Sequence, residues 1–227
     1  MIYELRTYEL MPGKAAPVLE RFEKVTSRLF EKHDMKNVGY WLPVIAESNN
    51  MFTYMLAYRS MAHRDEAWNA YMQDPERIRV MAEAEASGPQ VHRFSNMLLR
   101  PTPYSPDPLG EAVRGGRKAV CELRVYSIGP GKAQVLHDRF AKETLPLFAK
   151  HGMTNIGYWT PVVGGYSNDL YYLLGYPSLA QRETAWAGFT SDPEWQAVSR
   201  ASADKHGVLV ENITNIILRP TAFSPLR

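Results

Sequence analysis

Residues 2–8 read Ile-Tyr-Glu-Leu-Arg-Thr-Tyr, and the last five of them return, with one substitution, as Glu-Leu-Arg-Val-Tyr at 122–126. The shift between the two stretches is 118 positions. A Pro-Gly-Lys turn at 12–14 recurs at the same shift, as does Asn-Val-Gly-Tyr-Trp at 37–41 with one valine changed to isoleucine. A register this constant over such a length indicates that one unit is written twice in tandem.

The duplication divides the chain into three parts. We predict repeat 1 over residues 1–106, a linker over 107–119 and repeat 2 over 120–227. The linker is assigned on composition, because proline, glycine and serine give way there to a Gly-Gly-Arg-Lys run. Each repeat ends in a similar proline-containing segment, which we expect to be an extended arm. Its aromatic residue is Tyr104 in repeat 1 and Phe223 in repeat 2.

The composition excludes several classes of protein. The 26 basic and 24 acidic residues give a formal net charge of +2 without forming blocks, so we expect no nucleic-acid partner. The apolar runs are far shorter than the roughly 20 residues of a membrane helix, so no membrane insertion is expected. A single cysteine excludes an internal disulfide framework, and no metal-ligand spacing occurs, so we expect no metal. With no leader-like segment before the first strand, these features predict a cytoplasmic protein.

The first half of each repeat is predicted to contain three strands and one helix. Residues 2–10 alternate between two sets of side chains, as in a strand with one face on a core. Apolar residues then recur at helical spacing from 18 to 29, which predicts a helix that ends near His33. Residues 36–45 and 51–58 are predicted to be two strands joined by a polar hairpin.

The second half of each repeat is predicted to contain two helices and a last strand. Ser60 and Ser178 are suited to cap the first of these helices. An Asp-Pro-Glu sequence at 74–76 is typical of the start of another, shorter helix. The last strand is predicted over residues 91–100. Each repeat is therefore βαββαβ with one extra helix, the order of a ferredoxin-like unit, in which helices cover one face of an antiparallel sheet.

The other face of each sheet needs a cover as well. We expect Tyr40, Trp41 and Tyr54 to lie on that face together with their counterparts in repeat 2. Packing one repeat's sheet on the other would bury these aromatic residues. The sequence thus predicts an α+β fold in which two tandem ferredoxin-like βαββαβ units form a pseudo-dimeric α+β barrel.

These motifs together resemble the NIPSNAP family. The resemblance rests on the opening strand, the Pro-Gly-Lys turn, the Asn-x-Gly-Tyr-Trp strand and the tryptophan of the second helix, and it covers nearly the whole chain once per repeat. It implies the dimeric α+β barrel superfamily, which also contains cofactor-free monooxygenases, haem-degrading enzymes, dye-decolourising peroxidases and chlorite dismutases. The resemblance implies no settled reaction, so enzymatic activity stays undecided. The sequence requires no cofactor, and haem stays open only through the superfamily.

Polar residues on the first strand are the leading site candidates. Glu4, Arg6 and Tyr8 share one face, and repeat 2 has the same three residue types there. We expect this face to look into the barrel and the opposite face, with Leu5 and Thr7, to meet the helices. One interpretation is that the arginine grips an anion or carbonyl beside a proton-donating tyrosine. The other is a structural ion pair that closes the barrel end. The candidates from this strand are Arg6, Tyr8, Arg124 and Tyr126.

Two histidines and one strand motif complete the candidates. His33 and His151 occur in both repeats at the predicted helix end, where an imidazole can either cap the helix or take part in chemistry. Asn-x-Gly-x-Trp at 37–41 would place its asparagine and tryptophan on one strand face, as in an aromatic-ligand pocket. The alternative is that its glycine only makes room for a large neighbouring ring. The candidates from this motif are Asn37, Trp41, Asn155 and Trp159.

Two functions of different classes agree with these observations. In the first, a small apolar or aromatic ligand lies between sheet and helices near Arg6 or Arg124, with oxidative chemistry as the superfamily precedent. In the second, the protein is a non-catalytic interaction or oligomerising module, and a homo-oligomer is then expected. An open cavity lined by arginine, tyrosine and tryptophan would favour the first. An interior filled entirely by side chains would favour the second.

Overall fold

The secondary structure follows the predicted order in both repeats. The computed structural model describes residues 1–116 and 118–227, so Arg117 of the predicted linker lies outside the described residues. The strands are β1 (Ile2–Leu10), β2 (Lys36–Ile45), β3 (Met51–Tyr58), β4 (Val91–Pro101), β5 (Val120–Ile128), β6 (Thr154–Val163), β7 (Leu170–Tyr176) and β8 (Val210–Pro220). The helices are α1 (Ala15–Arg21), α2 (Ser27–Lys32), α3 (Met61–Met72), α4 (Pro75–Glu85), α5 (Glu111–Arg114), α6 (Ala133–Arg139), α7 (Leu145–Lys150), α8 (Leu179–Ser191) and α9 (Pro193–His206).

The strands close into one barrel. Their order around it is β1-β3-β2-β8-β5-β7-β6-β4, and every neighbouring pair is antiparallel. Each repeat supplies four consecutive strands, and the two sets join where β2 pairs with β8 and β4 pairs with β6. The predicted pseudo-dimeric α+β barrel is therefore confirmed. Closure leaves neither sheet with an unpaired edge strand, which removes the usual route to edge-to-edge aggregation.

The inside of the barrel is filled by apolar side chains from both repeats. In the register of β1, Leu5 lies opposite Met55 on one side and Met97 on the other, and all three pack on this interior core. Since side chains alternate along a strand, the other face of β1 must then point outward to the helices. Buried residues of the interior core include Tyr3, Val38, Trp41, Leu99, Cys121, Leu123, Ile156, Trp159, Leu173 and Leu218.

Two glycines allow the large interior tryptophans to lie flat on the strands. The ring of Trp41 covers Gly39, and the ring of Trp159 covers Gly157 in the same way. A methyl group added at either glycine would overlap the indole ring. Both rings are almost completely buried in the barrel. The expectation that this glycine makes room for a neighbouring ring is confirmed.

Replacing Gly39 with alanine is expected to lower the free energy of unfolding by about 1–3 kcal/mol, the cost of overpacking a filled core. The indole of Trp41 cannot move away because β-strands and interior side chains surround it. Urea denaturation of the variant measures the loss. The control is Ala46→Ser in the hairpin between β2 and β3, a half-buried position that is not part of the interior core. An unchanged midpoint for Gly39→Ala would contradict the packing argument.

The helices lie on the outside of the barrel, and α3, α4, α8 and α9 are capped by the residues that the sequence predicts. The hydroxyl of Ser60 accepts a hydrogen bond from the His63 backbone N–H at 3.1 Å. Asp74 caps α4 through its carboxylate, which accepts from the backbone N–H groups of Glu76 and Arg77. Between α1 and α2, residues 22–26 form a π-helical segment, and repeat 2 has one at the same place. Within the described residues, no helix is both long and apolar enough to cross a membrane.

Each terminal arm crosses to the other repeat. Tyr104, from the arm of repeat 1, packs on the helices of repeat 2, and its hydroxyl lies 2.7 Å from Nδ1 of His137. Phe223, from the arm of repeat 2, packs against Tyr40 of repeat 1 with ring centroids 5.1 Å apart. The aromatic residue of each arm is thus packed against the other repeat, and the two arms hold the repeats together reciprocally.

Candidate functional site

The candidate site is a cavity in repeat 1 between the outer face of the sheet and the helices. It has a volume of about 300 Å³. Its floor is formed by β1 and β4, and its walls by α1, the π-helical segment, α2, α3 and α4. The lining residues are Arg6, Tyr8, Arg21, Phe22, Thr26, Phe30, Trp68, Tyr71, Met72, Arg77, Met81, Glu85, Val91 and Phe94.

A buried carboxylate beside the cavity organises its polar end. Glu4 is completely buried. Its Oε1 atom accepts hydrogen bonds from Arg6 at 2.7 Å and from Arg64 at 2.8 Å. Its Oε2 atom accepts from Trp68 at 3.1 Å and again from Arg64 at 3.0 Å. Asn96 and Tyr58 also donate to this carboxylate.

The pKa of Glu4 reflects this arrangement. Burial by itself would raise the pKa, but the hydrogen bond from Arg64 and the charges of Arg6 and Arg64 outweigh it and lower the pKa to about 2. The carboxylate is therefore ionised at neutral pH. It forms ion pairs with Arg6 and Arg64 and fixes their positions, and Arg64 has a second acidic partner in Asp65.

The sheet face that carries Glu4, Arg6 and Tyr8 is the reverse of the predicted one. We expected these side chains to look into the barrel, and they point outward to the helices. The physical reason is that the carboxylate needs hydrogen-bond donors. On the outer face, α3 brings Arg64 and Trp68 to it, whereas the barrel interior is apolar. An ion pair in that interior would remain without enough hydrogen bonds.

Arg6 and Tyr8 do lie together, in the cavity. The guanidinium of Arg6 is 4.6 Å from the ring centroid of Trp68 and 5.1 Å from that of Phe94, which are cation–π distances. Its Nε atom donates to the hydroxyl of Tyr54 at 2.8 Å. Tyr54 in turn donates to the hydroxyl of Tyr8 at 2.9 Å. Because Tyr8 accepts that bond, its own proton can be donated to a group in the cavity.

Repeat 2 has the same polar network but a smaller cavity. Glu122 accepts from Arg124 at 2.7 Å, and Arg124 lies 4.3 Å from the ring of Trp186. The cavity there measures about 160 Å³, and its lining includes Tyr126 but neither Arg124 nor Trp186. Trp195 occupies the position that corresponds to Arg77 in repeat 1. The two repeats therefore keep the same framework and differ in the space beside it.

The Asn-x-Gly-x-Trp motif does not form a single face. A β-bulge between Asn37 and Gly39 shifts the register, so the asparagine turns outward while Trp41 points into the barrel. Asn37 donates to the Ser27 carbonyl at 2.9 Å and accepts from the hydroxyl of Tyr40. The predicted pairing is therefore wrong. Asn155 and Trp159 are separated by the same bulge.

Tyr40 and Tyr54 also differ from expectation, since they face the helices rather than the other repeat. Both pack in the outer core of repeat 1 with Phe22. Tyr40 and Trp41 are adjacent in β2 and so must take opposite faces. Of the three aromatic residues predicted to cover the far side of the sheet, only Trp41 does so.

The two repeated histidines lie outside the cavity. His33 follows the last residue of α2, and its Nε2 atom is 2.8 Å from Oδ2 of Asp74, the N-cap of α4. His151 and Asp192 make the same contact at 2.7 Å in repeat 2. Each histidine thus connects the end of one helix to the start of another.

Haem finds no suitable ligand in the cavity. Iron in haem proteins is most often held by histidine, cysteine or tyrosine. Among the described residues that line the cavity there is no histidine or cysteine, the hydroxyl of Tyr8 already accepts from Tyr54, and burial raises the pKa of Tyr71, which disfavours the tyrosinate that would bind iron. The residues do not fit a haem site, and we assign no step to haem.

The sequence also contained a signal for residues that we did not single out. Arg64, Tyr58 and Asn96 return in repeat 2 as Arg182, Tyr176 and Asn215, at shifts of 118 or 119 positions. These polar residues could have been found by reading the repeat alignment for identities outside the motifs. No such signal marks Arg77, because the two repeats differ there.

A closed barrel of two βαββαβ repeats, with a buried carboxylate–arginine network between sheet and helices in each, defines a pseudo-dimeric α+β barrel protein. The NIPSNAP family profile matches residues 3–106 and again 121–225, and the chain belongs to that family. Protein NipSnap homolog 3A of Homo sapiens is 27% identical over 233 residues, which cover 100% of this chain and 86% of the human protein.

Solved structures share the barrel at low sequence identity. A candidate monooxygenase from Lactobacillus acidophilus superposes with a TM-score of 0.60 at 12% identity, covering 96% of this chain and 93% of that one. A second candidate monooxygenase, from Fusobacterium nucleatum, gives a TM-score of 0.59 at 9% identity, covering 96% and 91%. At these identities the likeness concerns the fold alone.

Proposed function

We propose that this protein binds a small molecule with an apolar or aromatic body in the cavity of repeat 1. The observation that carries the proposal is the cavity itself, about 300 Å³ in volume and lined mainly by aromatic and methionine side chains. Small-molecule sites in proteins are concave, mostly apolar and supplied with a few polar groups that fix orientation. Their volumes are roughly 300–1,000 Å³, so this cavity suits a compact ligand.

The polar groups at the sheet end are held in place before any ligand arrives. Arg6 is fixed by Glu4 and Tyr54 and lies against Trp68, so little side-chain entropy remains to be lost on binding. Tyr8 has a hydroxyl proton to offer. Such fixed donors beside a flat aromatic wall would orient a ligand that carries an acceptor group.

The barrel interior is filled by side chains and leaves the outer cavity as the place for a ligand. Buried side chains from both repeats occupy that interior, including the rings of Trp41 and Trp159. Space for a ligand is found instead under the helices of repeat 1, as in the first of the two functions considered from the sequence. We assign binding to this cavity, and no reaction.

Filling the cavity is expected to weaken ligand binding. Met81 lines the cavity from α4, and Met81→Trp would place an indole in the space while leaving the Glu4 network untouched. With 2-naphthamide as the probe, we expect isothermal titration calorimetry to show affinity weakened at least about tenfold, because the naphthalene ring and the indole compete for the same volume.

Ser199→Trp is the matched control, since Ser199 holds the corresponding position on α9 and lies outside the smaller cavity of repeat 2. It should leave the affinity unchanged. Equal affinities of the wild type and Met81→Trp would contradict the proposed site. Failure of the wild type to bind either neutral or acidic naphthalene probes would overturn the proposed function and favour the interaction module.

A further inference from the structure

The two repeats differ at one position that decides the shape and charge of the outer cavity. Arg77 and Trp195 both lie in the first turn of their helices, after the same Asp-Pro-Glu cap. In repeat 1 the arginine borders a cavity of about 300 Å³. In repeat 2 the tryptophan borders one of about 160 Å³.

Arg21 and Arg77 border the cavity of repeat 1 without an acidic partner. The Nε atoms of both are shielded from solvent and have no hydrogen-bond partner among residues 1–116 and 118–227. Arg21 donates one weak hydrogen bond, from Nη2 to the side-chain oxygen of Gln90 at 3.3 Å, and its guanidinium carbon lies 5.4 Å from the ring centroid of Phe22. Arg77 lies against Tyr71, with 5.9 Å between its guanidinium carbon and the ring centroid. A hydrogen-bond donor that is shielded from water and has no acceptor destabilises the folded protein. A ligand that accepts hydrogen bonds from such donors regains this free energy on binding.

The charges around the cavity favour an anion. Three arginines line it, and Glu85 is the only acid among the lining residues that the structure describes. Glu85 is exposed and forms no ion pair within the described chain. Arg6 is already compensated by Glu4, so the excess positive charge belongs to Arg21 and Arg77. A guanidinium pair of this kind suits a carboxylate.

Building on the binding function proposed above, we propose that the ligand is an organic acid, and that Arg21 and Arg77 hold its carboxylate while its apolar body packs on Trp68, Phe30 and Phe94. The apolar body lies among the aromatic rings that α2, α3 and β4 contribute to the walls and floor of the cavity. The carboxylate lies toward α1 and α4, which carry the two arginines.

Trp195 excludes such a ligand from repeat 2. Its ring stacks near Phe189 at 4.4 Å between centroids, and the guanidinium of Arg139 lies 5.3 Å from it. Arg139 corresponds to Arg21, and its Nε atom also lacks a hydrogen-bond partner, but its neighbour across the cavity is an indole instead of a second guanidinium. The indole supplies neither the second guanidinium nor the space. One ligand is therefore bound per chain.

The test compares 2-naphthoate with its neutral isostere 2-naphthamide by isothermal titration calorimetry on the full chain. We expect wild type to bind one naphthoate per chain at least about tenfold more tightly than the amide. Arg77→Gln should weaken naphthoate by about ten- to a hundredfold, the range for losing a hydrogen-bonded charge partner, and leave the amide within about threefold. Thermal melting of Arg77→Gln, which alters a partly exposed side chain, checks that the variant is folded.

Trp195→Arg tests the second half of the proposal. It restores the arginine pair in repeat 2, and we expect the naphthoate stoichiometry to rise from one toward two. Arg77→Trp should abolish the wild-type site. If acid and amide bind equally, and Met81→Trp weakens both, the ligand is not an acid although the proposed binding function stands. If Trp195→Arg leaves the stoichiometry at one, exclusion by Trp195 is wrong. If neither compound binds, both proposals fail together.

Discussion

Replacing Glu4 with glutamine is expected to lower the free energy of unfolding by about 3–5 kcal/mol, the cost of removing one partner from a buried ion pair. The glutamine would keep the shape of the side chain but not its charge. Arg6 and Arg64 would then remain together without compensation. In glutamine an NH2 group also replaces one carboxylate oxygen. This group is a donor and would face other donors, such as Trp68 and Arg64. Chemical denaturation with urea measures the loss.

The chain supplies two controls for this variant. Glu122→Gln removes the equivalent carboxylate in repeat 2 and should cost about as much, since its partners are the same residue types. Glu9→Gln breaks a contact with Arg93, both side chains being partly or largely exposed, and should cost at most about 1 kcal/mol. If Glu4→Gln were no more destabilising than Glu9→Gln, the carboxylate would not be the organising group.

The two carboxylates should also be distinguishable by function. Because Glu4 positions Arg6 in the larger cavity, Glu4→Gln is expected to weaken binding of 2-naphthamide and 2-naphthoate alike. Glu122→Gln should leave both affinities unchanged. Equal effects of the two variants on binding would indicate a general loss of stability rather than a site in repeat 1.

Acid is expected to destabilise the protein strongly between about pH 4.5 and pH 2. In Glu122, as in Glu4, burial raises the pKa but is outweighed, here by the hydrogen bond from Arg182 and the charge of Arg124, and the pKa falls to about 2. A carboxylate whose pKa is depressed on folding stabilises the protein above its unfolded pKa. That stabilisation is lost as the pH falls through the folded pKa. Lowering the pKa from 4.5 to about 2 corresponds to about 3 kcal/mol of folding stability for each carboxylate.

Urea midpoints measured from pH 6 to pH 2.5 test this dependence. Asp74 and Asp192, whose pKa values are lowered by hydrogen bonds from lysine and histidine side chains, add to the wild-type slope. Comparison of wild type with Glu4→Gln isolates the buried carboxylate, because the aspartates are common to both. The variant should lose about 2.5 kcal/mol less than wild type over this range. Parallel profiles would show that Glu4 does not titrate with a lowered pKa.

Much of the fold could be read from the sequence because its signals are local or repeated. Alternation fixed β1 as a strand, and the Asp-Pro-Glu cap marked the start of α4. Asp34 has a positive φ of 58° and its counterpart Gly152 one of 78°, in agreement with the prediction that the helix ends near His33. The duplication itself supplied the second half of the barrel.

The candidate site was predictable only in part. Arg6 and Tyr8 were found because charge and aromaticity alternate with apolar residues on one strand. Asn37 and Trp41 were misjudged because a bulge adds one residue between them, and a bulge depends on hydrogen bonds to β3 that no local pattern displays. Arg21 and Arg77 come from separate helices, so only packing brings them to one cavity.

The sequence by itself determined that two equal units form this protein, what each unit contains and where its strands and helices begin. Only the tertiary structure decided which face of β1 turns to the helices, and hence that Glu4 and Arg6 lie outside the barrel. Alternation defines two faces but not their destinations, because either face of a strand can be buried. Residues distant in sequence determine the orientation of β1. Arg64 and Trp68 on α3 bind the carboxylate outside the barrel, and the two indoles fill the space inside it.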